Sequence, residues 1–180
     1  MKFTARSFAR RAWRGTVTLV VAVLVTMLPA DRFATPVMAQ PAAAADADGF
    51  PLHLVDTGLF VDAAGSQLRP AVMRYAPQYP LWSDDAAKQR WIYLPPGTRI
   101  DARDPDAWVF PVGTRLWKSF AHDRVVETRF IERRADGQWY FAVYVWKPDG
   151  SDATLVPARG LRGVPVDGAP GGRYDIPSRS

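Results

Sequence analysis

The chain has 180 residues, 48% of them hydrophobic, with 23 Lys and Arg against 18 Asp and Glu. Its lack of cysteine excludes disulfides, covalent c-type haem attachment and thiolate metal sites within these residues. The positive excess belongs to residues 1–39, which hold six basic residues and one acid; residues 40–180 carry seventeen of each and no net charge. With that balance, composition gives no support for a nucleic-acid or anionic-membrane partner, since either needs a clustered basic face.

In chain order, the first segment reads as an address. Lys2, Arg6, Arg10, Arg11 and Arg14 precede an apolar run from Thr16 to Leu28. That run has the length of a signal-peptide core and is short for a membrane span. Val37-Met38-Ala39 supplies small residues where a signal peptidase reads, so cleavage is expected after Ala39. The alternative is an uncleaved anchor. Arg10-Arg11 could begin a twin-arginine signal, but its surroundings match poorly and the general secretory route is favoured. The expected location is periplasmic or secreted, with no membrane contact after cleavage. Residues 40–49, Q-P-A-A-A-A-D-A-D-G, form a low-complexity linker predicted to be disordered. Residues 50–180 form one domain, a size that buries roughly 70% of its unfolded surface.

Within it, Phe50–Phe60 is a short extended or helical lead-in and 61–70 a polar loop. Val72–Tyr75 starts the folded body. Prolines 78 and 80 keep the next stretch extended, and Ser83 is placed to cap one helical turn through Asp84 to Lys88. Strands are predicted at Arg90–Leu94 and Thr114–Phe120. The phrases P-G-T-R-I and V-G-T-R-L, at 96–100 and 112–116, each place a glycine turn before an alternating strand. The ribbon from Arg124 to Val156 reads as strand, turn, strand, turn, strand. Asp136-Gly137 is a strong hairpin signal, expected as a type I′ turn. Trp139–Trp146 is apolar on both faces, which period-2 geometry allows only for a strand covered on both sides. Residues 160–172 are read as a long Gly/Pro loop and Tyr174–Pro177 as a short extended piece. Short strands, frequent turns and no long 3.6-residue period predict an all-β antiparallel fold, a sandwich or jelly-roll-like domain.

Catalytic signals are sparse. His53 and His122 are the only histidines and are not spaced as metal ligands. Asp101, Asp104 and Asp106, or Asp149 and Asp152, have calcium-type oxygens, although turn aspartates more often bond their own backbone. Ser119, His122 and Asp123 lack a nucleophile elbow. Asp84-Asp85 and Glu127 could serve glycoside chemistry, but a surface turn and a cross-strand pairing of Glu127 with Arg129 or Arg115 explain them more simply. Most of the tryptophans and tyrosines are expected in the core. No catalytic motif, metal or cofactor site is assigned; whether the domain is an enzyme is left open, with a non-enzymatic role favoured.

Several phrases together carry a family resemblance. They are Y-P-L-W-S-D-D-A-A-K-Q-R-W-I-Y-L-P-P-G-T at 79–98, F-P-V-G-T-R-L-W-K-S-F at 110–120, V-E-T-R-F-I-E-R at 126–133, V-W-K-P-D-G-S-D-A-T-L-V at 145–156 and Y-D-I-P-S at 174–178. In this order they resemble the N-terminal region of a family of exported bacterial proteins related to c-type cytochromes. In that family a C-x-x-C-H haem motif follows almost at once. This chain reaches Ser180 without it, so a truncated reading of a longer gene is expected and no haem residue carries over. The resemblance implies a scaffolding or recognition domain beside a redox module or partner protein, with haem c in the missing part. Trp82, Asp84, Lys88, Arg90, Lys118, Glu127, Arg129 and Trp146 lie in these phrases and are the expected functional surface. A carbohydrate-binding module or weak glycoside-active domain is the alternative; it requires a groove with two or three exposed coplanar rings.

Overall fold

The computed structural model describes residues 43–79 and 85–179. The predicted signal segment, Trp82 and Asp84 lie outside them. The described residues are all-β. Six strands form one antiparallel sheet in the order β1 (Met73–Arg74), β2 (Ala87–Tyr93), β3 (Arg115–Ala121), β4 (Val125–Arg133), β5 (Trp139–Trp146) and β6 (Ala153–Leu155). Two more, β7 (Leu161–Pro165) and β8 (Arg173–Ile176), pair into a ribbon. The large sheet is an up-and-down meander with no crossover between its strands. Of the two all-β arrangements expected, an unequal sandwich therefore fits.

The expected ribbon is present, with two differences. Only Gly137 takes positive φ at the β4–β5 turn, and Arg134 N–H donates to Gln138 O at 3.0 Å. This is a longer loop with one left-handed glycine, in place of the two-residue type I′ turn. Second, β5 is covered on both faces over Ala142–Val143–Tyr144, whereas Phe141 near the hairpin end is exposed.

Each sheet face has its own cover. Trp91, Trp117, Phe130, Ala142 and Tyr144 project from one face and bury against Phe50, Leu54, Leu59 and Phe60 of the lead-in. Trp117 and Phe130 lie 5.6 Å apart, and Phe50 meets Phe130 edge-on. Burying each large side chain is worth about 1.5–3 kcal/mol, so the aromatic layer dominates the stability. The lead-in is held by a 3₁₀ turn at Leu54–Thr57, whose Thr57 hydroxyl accepts the indole N–H of Trp117 at 2.9 Å. On the other face, Val143 and Val145 pack under Leu161, Val164, Tyr174 and Ile176 of the ribbon.

Three sequence expectations change here. The 160–172 loop contains β7, because strand β8 supplies a partner that its glycines and prolines concealed. Ala87 and Lys88 belong to β2, not to a helical turn, since β3 offers them ladder partners at Ala121 and Phe120. Residues 43–49 of the predicted disordered linker make a turn: Asp46 N–H donates to Phe50 O, Phe50 N–H donates to Asp46 Oδ1, and Asp46 pairs with Arg179 at 2.7 Å. No helix of the described residues is long and apolar enough to cross a membrane.

Candidate functional site: a cationic sheet face

Strand alternation decides which side chains share a face. The ladder aligns Arg90 with Lys118 and Lys118 with Arg129, while Lys88 aligns with Phe120 and Phe120 with Glu127. Lys88, Arg90, Lys118, Glu127 and Arg129 therefore stand together on the ribbon-covered face. Three of these cations are successive cross-strand neighbours. Trp146 projects from the opposite face, where its indole N–H donates to Thr128 Oγ1 at 2.9 Å.

The cations are organised around one ring and one acid. Phe120 is buried, with Lys118 Nζ 4.6 Å and Arg129 Cζ 4.4 Å from its ring centre. Such contacts are worth about 0.5–2 kcal/mol each. Glu127 is 0% exposed. Its Oε1 accepts from Arg129 Nε at 2.9 Å, Arg129 Nη2 at 2.8 Å and the Tyr174 hydroxyl at 3.2 Å. Glu127 Oε2 has no partner among the described residues. A shift in pairing at Phe120/Ala121 opposes Val125 to Ala121 and Glu127 to Phe120, leaving Val126 to pack under Val166 and Ala169. Bulges of this kind re-aim side chains beside sites.

Electrostatics follow from this packing. Burial raises the Glu127 carboxyl above its ordinary value, against the pull of Arg129. Burial lowers the Lys118 ammonium, and Arg90, Arg129 and Lys88 push it further down. Burial beside Glu127 also raises the Tyr174 phenol. Glu127 offsets part of the charge on Lys118 but is held by two nitrogens of Arg129, so the row Arg90–Lys118–Arg129 keeps a net positive charge. A cavity of about 330 Å³ opens here, between Lys118, Arg129, Phe141 and Val143 on the sheet and Pro177–Ser178–Arg179 of the C-terminal segment.

The other chemistry considered from sequence takes structural roles. Ser119 bonds Thr128 at 2.7 Å, and His122 packs edge-on against Tyr174, so Ser119, His122 and Asp123 form no relay. Asp104 and Asp149 accept backbone N–H groups two residues on, and Asp101 binds Arg103. No group of three His, Asp or Glu side chains is placed to hold a metal among the described residues. Glu127 pairs with Arg129 along its own strand, and Arg115 with Glu132 instead.

No protein-family model, curated protein or solved structure matches the chain. The resemblance to exported cytochrome-related proteins thus rests on its sequence phrases alone, and the site has to be read from its own chemistry. The residues that sequence reasoning missed are Tyr174, Phe120 and the C-terminal wall. Tyr174 and the wall reach the face only through the ribbon, whose strand β7 was hidden in a Gly/Pro stretch. Phe120 is the last residue of the predicted strand Thr114–Phe120, and nothing in the sequence marks it as a seat for cations.

Proposed function

We propose that the domain is an exported recognition module whose sheet face receives an anionic group, a carboxylate, phosphate or sulfate presented by a small molecule or by a partner protein. The observation that carries this is the row Arg90–Lys118–Arg129. Like charges directly opposite one another in a sheet oppose its formation, each pair by a few tenths of a kcal/mol to about 1 kcal/mol. Three in line on a partly covered face make sense when a counter-charge arrives. The lowered Lys118 pKa points the same way. The leader at 1–39 supports export, and the resemblance supports a redox module or partner protein as the bearer of the anion. The carbohydrate alternative has weaker support, because Trp91 and Trp146 are buried and meet Phe60 edge-on, and so make no platform of exposed coplanar rings.

Titration calorimetry of the full-length chain with phosphate, citrate and acetate tests the proposal. Citrate or phosphate should bind saturably, more weakly as salt rises. Affinity should also fall as pH climbs through the Lys118 pKa, below the usual lysine range. Lys118→Met and Arg90→Met should each weaken binding about tenfold, roughly the loss of one charge-assisted hydrogen bond. Silence with all three anions, or unchanged binding by both variants, would sink the reading.

A further inference from the structure

The face opposite the cationic row holds a second cavity, of about 340 Å³, and Trp146 lines it together with Phe60, Trp91, Arg74 and Gln89. The indole N–H groups of this face are not equivalent. Trp117 donates to Thr57 Oγ1 and Trp146 to Thr128 Oγ1, both at 2.9 Å. Trp91 is 2% exposed and its Nε1–H has no partner among the described residues. A buried donor left unmade costs about 1–3 kcal/mol. Trp91 also lines a cavity large enough for a small molecule.

The charges of the lining identify what would suit that donor. The Arg74 guanidinium lies over Trp91, 6.0 Å from its ring centre, and makes no ion pair among the described residues. Arg124 and Lys147 add positive charge to the wall, and Asp149 is its single acid. An acceptor oxygen bearing negative charge could meet Arg74 and the Trp91 N–H together. Phe60 and Trp146 offer ring surface behind it. We propose that this cavity is a binding site for a small carboxylate carried on a six-membered ring, the carboxylate at Arg74 and Trp91 and the ring against Phe60 and Trp146. An aromatic acid and a sugar acid share the carboxylate and differ in the ring, and the buried, edge-on rings here favour the aromatic acid.

Tryptophan fluorescence and calorimetric titration of the full-length chain with benzoate, glucuronate and neutral methyl benzoate test it. At least one carboxylate should bind saturably and the ester should not; benzoate against glucuronate then identifies the ring. Trp91→Phe keeps an aromatic ring and removes the donor, with a smaller side chain in the core. It should weaken binding tenfold or more, while the smaller ring lowers the melting temperature. Arg74→Ala, at an exposed edge position, should weaken binding similarly and provides the test if Trp91→Phe does not fold. Lys118→Met, on the other face, should leave this binding unchanged, so failure of the two sites is told apart. Absence of binding by both carboxylates, equal binding of the ester, or wild-type affinity in Arg74→Ala and a folded Trp91→Phe overturns the proposal.

Discussion

Glu127 makes three hydrogen bonds to one oxygen and none to the other, in a place with no exposure. Its raised pKa means that the folded chain takes up this proton before the unfolded chain does. In the window from the ordinary glutamate value up to the raised one, the native state holds more protons, so stability from this group falls as pH rises. Glu127→Gln keeps an oxygen acceptor for Arg129 and Tyr174 and cannot titrate. Thermal melts of both proteins across the acid-to-neutral range should show the wild type losing stability relative to the variant as pH rises through that window. Parallel curves would mean that Glu127 stays charged throughout. Thr57 tests the same logic with a neutral group. Thr57→Val removes the acceptor of the buried Trp117 indole and should cost about 1–3 kcal/mol in denaturant unfolding. The site was only partly legible at this scale. Arg90, Lys118 and Arg129 are far apart in sequence, and no local run of basic residues marks them. A zero net charge over residues 40–180 hid a face where the pleat and register gather cations.

At the scale of elements, the meander was legible because its strands alternate and its turns carry glycine. Strand β7 was not, because Leu161–Pro165 contains Gly163 and ends in proline, both poor strand residues. Its pairing with β8 depends instead on what surrounds it. Gly160 sits at φ +78°, and a Cβ there would meet Ile176 O at 2.4 Å and Pro177 C at 2.8 Å. Backbone atoms cannot yield as a flexible side chain can, and positive φ adds strain for any other residue. Gly160→Ala should therefore force β7 away from β8 and uncover Tyr174 and Ile176. Hydrogen exchange should accelerate at β7 and β8, with β3 to β5 staying protected. Acceleration spread evenly through both sheets would show that the ribbon and the meander open as one unit. The ribbon supplies Tyr174 to Glu127, so anion binding on that face should weaken in the same variant.

Across the whole molecule, the two ends of the domain are tied by one arginine, a contact no local pattern announces because its partners lie more than 130 positions apart. Arg179 Nη1 reaches Asp46 at 2.7 Å and Asp48 at 3.3 Å, its Nη2 donates to Val156 O, and its guanidinium lies 5.4 Å from the Phe50 ring centre. Phe50 belongs to the aromatic layer, so this tie bears on the main core as well as on the chain ends. Burial works against the charge on Asp46, but the Phe50 amide and Arg179 outweigh it and hold the carboxyl below its usual range. The sign is opposite to that of Glu127: stability from Asp46 is full above the ordinary aspartate value and is lost as pH falls through the lowered one. Arg179→Ala leaves Asp46 without its ion pair but still bonded by the Phe50 and Asp48 amides. Its cost should be about 1–2 kcal/mol, less than for a fully buried pair because both side chains keep some solvent. Exchange at the Leu52 amide, which bonds Ala44 O, should accelerate, as should cleavage by a protease within 43–52. The acid limb of the stability curve should also flatten, since the lowered Asp46 pKa depends in part on Arg179. If Leu52 stays protected in Arg179→Ala, then Phe50 packing alone anchors the N-terminal turn, and the arginine has no part in holding the lead-in over the core.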